Sequence, residues 1–206
     1  MGGGYSEYIT PSDAECEKIK KRFEIGAEPF FAYTGNIEPR KNIVTILKAF
    51  EIACDKLNRK VSIVLAGKLG WRTQPIIEAI EQNKYKDRIY LPGYISENEK
   101  KYLMHNACAF VFPSNYEGFG IPIVEAMSCG GVVITADNSS QKEVGGSTAF
   151  YVQKTDEVVQ LADRMVQCFN LSDAERKKLA ADGQSWVAQF SWEKCAQETQ
   201  AVLEQG

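Results

Sequence analysis

Glu117 and Glu125 stand at the two ends of a turn, Glu117-Gly118-Phe119-Gly120-Ile121-Pro122-Ile123-Val124-Glu125, with seven residues between the acids. An ionised carboxylate is a pure acceptor with two oxygens, so each acid can hold two neighbouring hydroxyls of a sugar or a ribose. Gly118 and Gly120 have no Cβ, which lets backbone N–H groups come close to a ligand. Pro122 suits the first turn of a helix, where its missing N–H costs nothing. The N–H groups left free at such a start, together with the helix dipole, favour a phosphate. Acid, phosphate cradle and acid are what a hexose, a diphosphate and a ribose ask for in sequence. Acids near helix starts also serve simply to complement the dipole, so spacing alone leaves both readings open.

A second stretch adds charge of the opposite sign. Gly35-Asn36-Ile37-Glu38-Pro39-Arg40-Lys41-Asn42 places two adjacent cations beside a helix start. Arg gives bidentate contacts to phosphate oxygens and Lys a movable point charge; a solvated basic pair is the plain alternative. Other marked residues carry weaker signals. Gly93-Tyr94-Ile95-Ser96 and Gly67-Lys68 follow strand patterns and fit ordinary turns. The single histidine, His105, falls late in a helix and reads as half-exposed or capping. Trp71 fits a cleft mouth or a lone exposed ring, while Trp186 and Trp192 read as packing residues of the C-terminal helices.

The elements that must position these residues follow from periodicity. Residues 108–112 read as a short buried strand feeding the acid turn, and the segment from the turn to Cys129 reads as a helix stopped by Gly130-Gly131. Residues 30–35 are continuously apolar and aromatic, the mark of a strand buried on both faces. Further strands are expected over 61–67, 88–93, 132–136 and 148–152. Helices are expected over 42–57, 75–83, 155–169 and from 191 to about 203, with a short helical turn at 141–144. Ser12/Glu15, Ser96/Glu99 and Ser172/Glu175 are capping boxes that open three more helices. Strands alternating with helices predict an α/β domain with a mainly parallel six-stranded sheet, in the order 3-2-1-4-5-6. Ligands in such sheets sit at the carboxyl ends of the strands where the order reverses. That switch brings the loop at 35–42 to the loop at 113–121.

Composition sets outer limits. The chain has 206 residues, 25% charged and 44% hydrophobic, enough for one domain with a sizeable core. A net charge of −3 argues against a nucleic-acid binder. Nothing reads as a transmembrane run or a signal peptide. The six cysteines include no C-x-x-C pair, so a structural zinc site is not expected and reduced thiols in a cytoplasmic protein are. Residues 1–10, with the run Met1-Gly2-Gly3-Gly4, read as a flexible start or the edge of a piece cut from a longer chain.

The acid turn resembles the acid-x7-acid signature of the retaining glycosyltransferases of family 4, also called group 1 glycosyltransferases. The likeness includes Pro113-Ser114, the Glu-Gly-Phe-Gly turn at 117–120, Pro122, Glu125-Ala126-Met127, and Cys129-Gly130 leading into Val132-Val133-Ile134. By this resemblance Glu117 holds the transferred sugar and Glu125 the ribose. Lys41 occupies the basic position of the diphosphate loop, beside Gly35 and Asn36. Gly93, Tyr94 and Ile95 lie against the base, and Gly118, Phe119, Gly120 and Ile121 line the donor site. Many members carry Arg where this chain has Asn36, and Arg40 is expected to supply that charge. Ser139–Gly145 resembles a small-residue loop in which Glu143 ties the loop to a helix start. The leaving diphosphate is expected to be stabilised by Lys41, Arg40 and the helix dipole, with no metal or cofactor.

The resemblance also implies an architecture. Members are GT-B enzymes of two Rossmann-like domains, and residues 11–206 match the second, donor-binding one, a three-layer domain with C-terminal helices. The N-terminal acceptor domain is expected to be absent, which leaves this piece able to bind a donor and unable to turn over alone. The full enzyme is expected to transfer a hexose from a nucleotide-diphosphate sugar, GDP-mannose or a UDP-sugar, to a glycan or lipid-linked acceptor, with peripheral membrane association through its other half. The competing reading is a non-catalytic nucleotide-sugar binding module. A dehydrogenase of the same topology is disfavoured, because the first strand is followed by Gly-Asn-Ile-Glu-Pro-Arg and not by G-x-G-x-x-G.

Overall fold

A computed structural model describes residues 12–204, so the flexible start expected over 1–10 lies outside the described residues. In chain order the elements are α1 (Asp13–Phe23), β1 (Phe30–Thr34), α2 (Ile43–Lys56), β2 (Ser62–Ala66), α3 (Gln74–Glu81), β3 (Ile89–Gly93), α4 (Glu97–Asn106) and β4 (Phe110–Phe112). The second half continues with α5 (Ile121–Ser128), β5 (Val133–Ala136), α6 (Ser139–Gly145), β6 (Phe150–Val152), α7 (Val158–Phe169), α8 (Asp173–Val187) and α9 (Trp192–Leu203). The three capping boxes form as their sequences dictate, each Ser hydroxyl accepting from the N–H of the Glu three residues on while that Glu reaches back.

The strands form one parallel sheet in the order β3-β2-β1-β4-β5-β6. β1 pairs with β2 along its whole length, from Phe30 opposite Ser62 to Thr34 opposite Ala66, and with β4 at Ala32 opposite Phe110. All residues of β1, β2 and β4 are buried, which is why their sequences are apolar on both faces. Right-handed crossovers put α2 and α3 on one face of the sheet and α4, α5 and α6 on the other. α7 returns to pack on α2, and α8 packs on α5. Phe31, Phe50, Phe110 and Phe112 are fully buried, each worth about 1.5–3 kcal/mol of burial. Tyr33 stacks on Phe112 across the β1/β4 seam at 6.0 Å. The switch point therefore has a rigid aromatic floor.

One glycine is required for the sheet's carboxyl edge to close. At Gly67 φ is +147°, and a Cβ would fall 1.8 Å from the carbonyl oxygen of Gly35. Gly67 N–H donates to the Gly93 carbonyl at 2.8 Å, and Gly35 N–H to the Ala66 carbonyl at 3.0 Å. The ends of β3, β2 and β1 are laced side by side at the edge where a ligand is expected.

Three expectations are corrected. The short turn expected at 141–144 is a longer helix, α6, because the buried Gln141 side chain anchors it to β5 and to the loop after β4. α7 begins at Val158, after a hydrogen-bonded turn in which Glu157 N–H reaches the Lys154 carbonyl. Trp192 is not a packing residue: it is 58% exposed on α9, whereas Trp186 packs and donates to the Val144 carbonyl at 2.8 Å. The six cysteines are free thiols. Among the described residues no helix is long and apolar enough to cross a membrane.

Candidate functional site

The two loops do meet, and backbone groups join them. Asn115 N–H donates to the Arg40 carbonyl at 2.9 Å, and the Asn42 amide donates to the Pro113 carbonyl at 3.2 Å. On its other side the loop after β4 is fastened by the start of α6. Gln141 donates to the Ser114 carbonyl at 2.8 Å, Asn138 to that of Asn115 at 3.1 Å, and the Ser140 hydroxyl to that of Glu117 at 3.0 Å. Ser139 Oγ accepts the Glu117 N–H at 3.3 Å. Glu117 is thus held through its own backbone by a helix that begins 22 residues later.

Its carboxylate is buried against the cations of the first loop. Residues Pro39–Lys41 form a single 3-10 turn, closed by Asn42 in the left-handed region. That turn drives the Lys41 side chain inward, where it is 7% exposed. Lys41 Nζ lies 2.5 Å from Glu117 Oε1 and 4.8 Å from the centre of the Phe112 ring. Arg40 stays half in solvent, with Nη1 3.5 Å from Glu117 Oε2 and Nε 2.8 Å from Glu38 Oε1. Glu38 is itself buried. Two cations therefore face two carboxylates. Burial, then the negative charges of Glu117 and Glu38, pushes the Tyr33 phenol far up; it stays neutral and donates to the Asn36 carbonyl at 2.8 Å.

The helix start beside this cluster is open. Gly120 caps α5 with φ of +95°, a conformation that suits glycine. Ile123 N–H turns back to the Gly120 carbonyl at 2.9 Å, while the N–H groups of Gly118, Phe119, Gly120 and Ile121 find no partner among the described residues. Unpaired N–H groups at a helix start, with the helix dipole, favour negative charge, and this start follows Glu117 directly in the chain. Gly118 itself has open space where a Cβ would go and an ordinary φ, so only the second glycine of the turn is sterically required.

Glu125 lies one turn into α5 in a separate charge cluster. Its Oε1 accepts from Lys100 Nζ at 2.8 Å, and Lys100 also meets Glu97 at 2.9 Å. Burial pulls the Lys100 ammonium down, but the hydrogen bonds and charges of Glu125 and Glu97 outweigh it and hold it above the usual lysine range.

The remaining marked residues divide. Gly35, Asn36, Gly93, Tyr94 and Ile95 all lie at the carboxyl edge of β1 and β3. The Gly93 carbonyl is taken by Gly67, and that of Tyr94 by Arg22 Nη2 at 2.8 Å. Phe119 and Ile121 line an apolar groove of about 790 Å³ with Phe190 and Trp192, while their N–H groups belong to the open start of α5. The Glu143 side chain is exposed on that groove and makes no hydrogen bond among the described residues, so the fastening expected of it is done by Gln141. His105 Nδ1 lies 2.7 Å from the Cys129 carbonyl at the end of α5, as a capping histidine does. Trp71 is exposed.

Sequence reasoning missed Glu38, Lys100, Arg22 and Gln141. Each looks like a solvated loop or helix residue in isolation, and each earns its place through a partner on another element. An acid directly before Pro39-Arg40-Lys41, able to pair with those cations, was the one available signal.

The sequence model for "Glycosyl transferases group 1" matches residues 15–186. The O-antigen chain mannosyltransferase B of Escherichia coli is 33% identical over 194 residues, covering 94% of this chain and 50% of that protein. The serotype-specific mannosyltransferase WbdA of Escherichia coli is 28% identical over 190 residues, covering 91% of this chain and 23% of that protein. The chain thus spans half the length of the first relative and less of the second. Among solved structures, Anabaena Alr3699/HepE in complex with UDP-glucose superposes with a TM-score of 0.83 at 20% identity, over 100% of this chain and 56% of that one.

Proposed function

The chain belongs to the group 1 glycosyl transferases, and on that premise we propose that it is the donor-binding half of a retaining, family 4 enzyme of GT-B architecture. The full enzyme transfers a hexose from a nucleoside-diphosphate sugar to a glycan or lipid-linked acceptor in the cytoplasm, at a membrane it meets through its other half. The observation that carries this is the convergence of Lys41, Arg40 and the open start of α5 on the buried carboxylate of Glu117. A diphosphate fits the cations and the free N–H groups. A hexose beyond it reaches Glu117, and a ribose on the other side reaches Glu125.

In this reading the bond from the anomeric carbon to the diphosphate oxygen breaks, and its electron pair leaves on the diphosphate. Lys41, Arg40 and the α5 dipole stabilise that growing charge, the kind of fixed electrostatic aid that lowers such barriers most. The acceptor hydroxyl forms the new bond on the same face, and its proton leaves on the released diphosphate. Glu117 orients the sugar. A plain nucleotide sensor has no use for an acid at that position, which weighs against the non-catalytic alternative.

GDP-mannose is the preferred donor in this proposal, because the relatives at 28–33% identity are named mannosyltransferases. A UDP-sugar is the second choice, favoured by the likeness to a protein solved with UDP-glucose. Calorimetric titration of the chain with GDP, UDP and ADP, then with the matching sugar nucleotides, tests it. Selective binding of one nucleotide, weakened about tenfold or more by Lys41→Ala and Glu125→Ala, is the expected result. Binding of none of them refutes the donor site. Turnover by this chain alone would refute the division into halves.

A further inference from the structure

Glu125 has a partner that its role as a ribose acceptor leaves unexplained. Lys100 comes from a different helix, α4, and reaches across to it. The lysine's position is built. The capping box at Ser96 and Glu99 fixes the first turn of α4, and Lys100 is the residue immediately after that box. Its side chain is 19% exposed, and that of Glu125 is 25%. The ammonium occupies only Oε1 of Glu125; Oε2 finds no hydrogen-bond partner among the described residues. A small cavity of about 60 Å³ opens beside the pair, bounded by Lys101, Met104 and Ser128.

A half-buried carboxylate that must accept two hydroxyls faces two difficulties. It can rotate about its last torsion, which blurs the two lone-pair directions, and it stands close to a diphosphate of the same sign. Lys100 removes both. Pinning Oε1 sets the carboxylate plane and leaves Oε2, with the second lone pair of Oε1, to face a vicinal diol. The ammonium supplies the positive charge that a carboxylate beside a diphosphate needs in a partly desolvated site.

We infer that Lys100 is the positioning residue for Glu125, orienting its carboxylate toward the two hydroxyls of the nucleotide ribose and thereby setting the preference for ribonucleotide over deoxyribonucleotide donors. This deepens the donor-site reading and rests on it. Lys100 touches no reacting atom; it acts through Glu125.

The test is calorimetric titration with GDP and UDP and with their 2′-deoxy counterparts, for the parent, Lys100→Met and Lys100→Arg. The parent should prefer the ribonucleotide about tenfold, the worth of one hydrogen bond to a charged group. Lys100→Met should bring the preference to within about twofold, and Lys100→Arg should retain most of it. Inorganic pyrophosphate, held by Lys41, Arg40 and the start of α5, should bind Lys100→Met only about two- to threefold more weakly than the parent, the repulsion from Glu125 that Lys100 no longer offsets; this loss is common to ribo- and deoxyribonucleotides and leaves their ratio diagnostic. A cooperative melt close to the parent's shows that the methionine variant is folded. An undiminished preference in folded Lys100→Met overturns the inference while the donor site stands. Loss of pyrophosphate binding together with ribonucleotide binding also overturns it, since Lys100 would then support the whole site. Absence of nucleotide binding in the parent overturns the donor site, and this inference with it.

Discussion

Replacing Glu117 by Gln should strengthen binding of a bare nucleoside diphosphate and weaken the advantage of the sugar nucleotide over it. Without ligand, Glu117 holds Lys41 at 2.5 Å and Arg40 at 3.5 Å, and Lys41 is 7% exposed. The cations a diphosphate needs are already neutralised, by Glu117 and by Glu38. An incoming phosphate charge about 5 Å from the Glu117 carboxylate, at an effective dielectric near 20, is repelled by about 3 kcal/mol before screening. Partial exposure of Arg40 and salt reduce that, leaving about 1–2 kcal/mol, so GDP or UDP should bind Glu117→Gln roughly tenfold tighter. The hexose loses a charged acceptor, at about 1.5–3 kcal/mol, so the sugar nucleotide should lose its advantage over the bare nucleotide. The ligand-free variant leaves Lys41 buried without its counter-charge, a loss of about 3 kcal/mol. That lowers the melting temperature by roughly 6–12 °C for a domain of this size. Saturating GDP should restore part of it by supplying the missing anion. Calorimetry with GDP and GDP-mannose, or the UDP pair, and thermal melts with and without nucleotide measure all of this. If Glu117→Gln weakens bare and sugar nucleotides equally, Glu117 is a scaffold for Lys41 and does not compete with the diphosphate, which refutes this prediction.

Two further predictions test the support around the site. Gln141→Ala should cost about 2–3 kcal/mol in urea unfolding, because it leaves the buried Ser114 carbonyl with only the long Asn138 contact at 3.4 Å and Thr135 without one acceptor. It should also weaken nucleotide binding, through the loop that carries Glu117; unchanged affinity would show that the loop needs no fastening by α6. Glu99 makes stability depend on acid. Burial pushes its carboxyl up, but the Arg22 guanidinium and the Ser96 hydroxyl and N–H outweigh it and hold it below the usual carboxylate range. The contribution is complete above the unfolded value near 4.3 and is lost as pH falls through the lower folded value. Urea midpoints should therefore fall from about pH 5 downward, and Glu99→Gln should flatten that slope while costing about 2 kcal/mol at pH 7. A slope unaltered by the substitution would assign the acid sensitivity to other carboxylates.

The amino-acid sequence by itself determined the architecture and which two charged loops come together. Unbroken apolar runs such as Phe30–Thr34, and capping boxes at Ser12, Ser96 and Ser172, are local signals, and local chemistry decides where elements start and stop. Handedness and short connections then admit few sheet orders, and the one expected is the one found. That order alone brought Lys41 near Glu117. Tertiary structure decided what those residues do to one another. Lys41 and Glu117 are 76 positions apart, and Glu125 and Lys100 are 25. Nothing along the chain distinguishes a lysine that waits in water from one that neutralises a buried acid, because ion pairing is set by which side chains share a desolvated space. The same holds for Gln141, a polar helix residue in sequence and a buried fastening in the fold. It holds in reverse for Trp192, whose ring predicted packing and whose helix leaves it in solvent. Periodicity and caps report energies that each segment pays for itself, whereas burial and charge pairing belong to pairs of segments and exist only once they have been brought together.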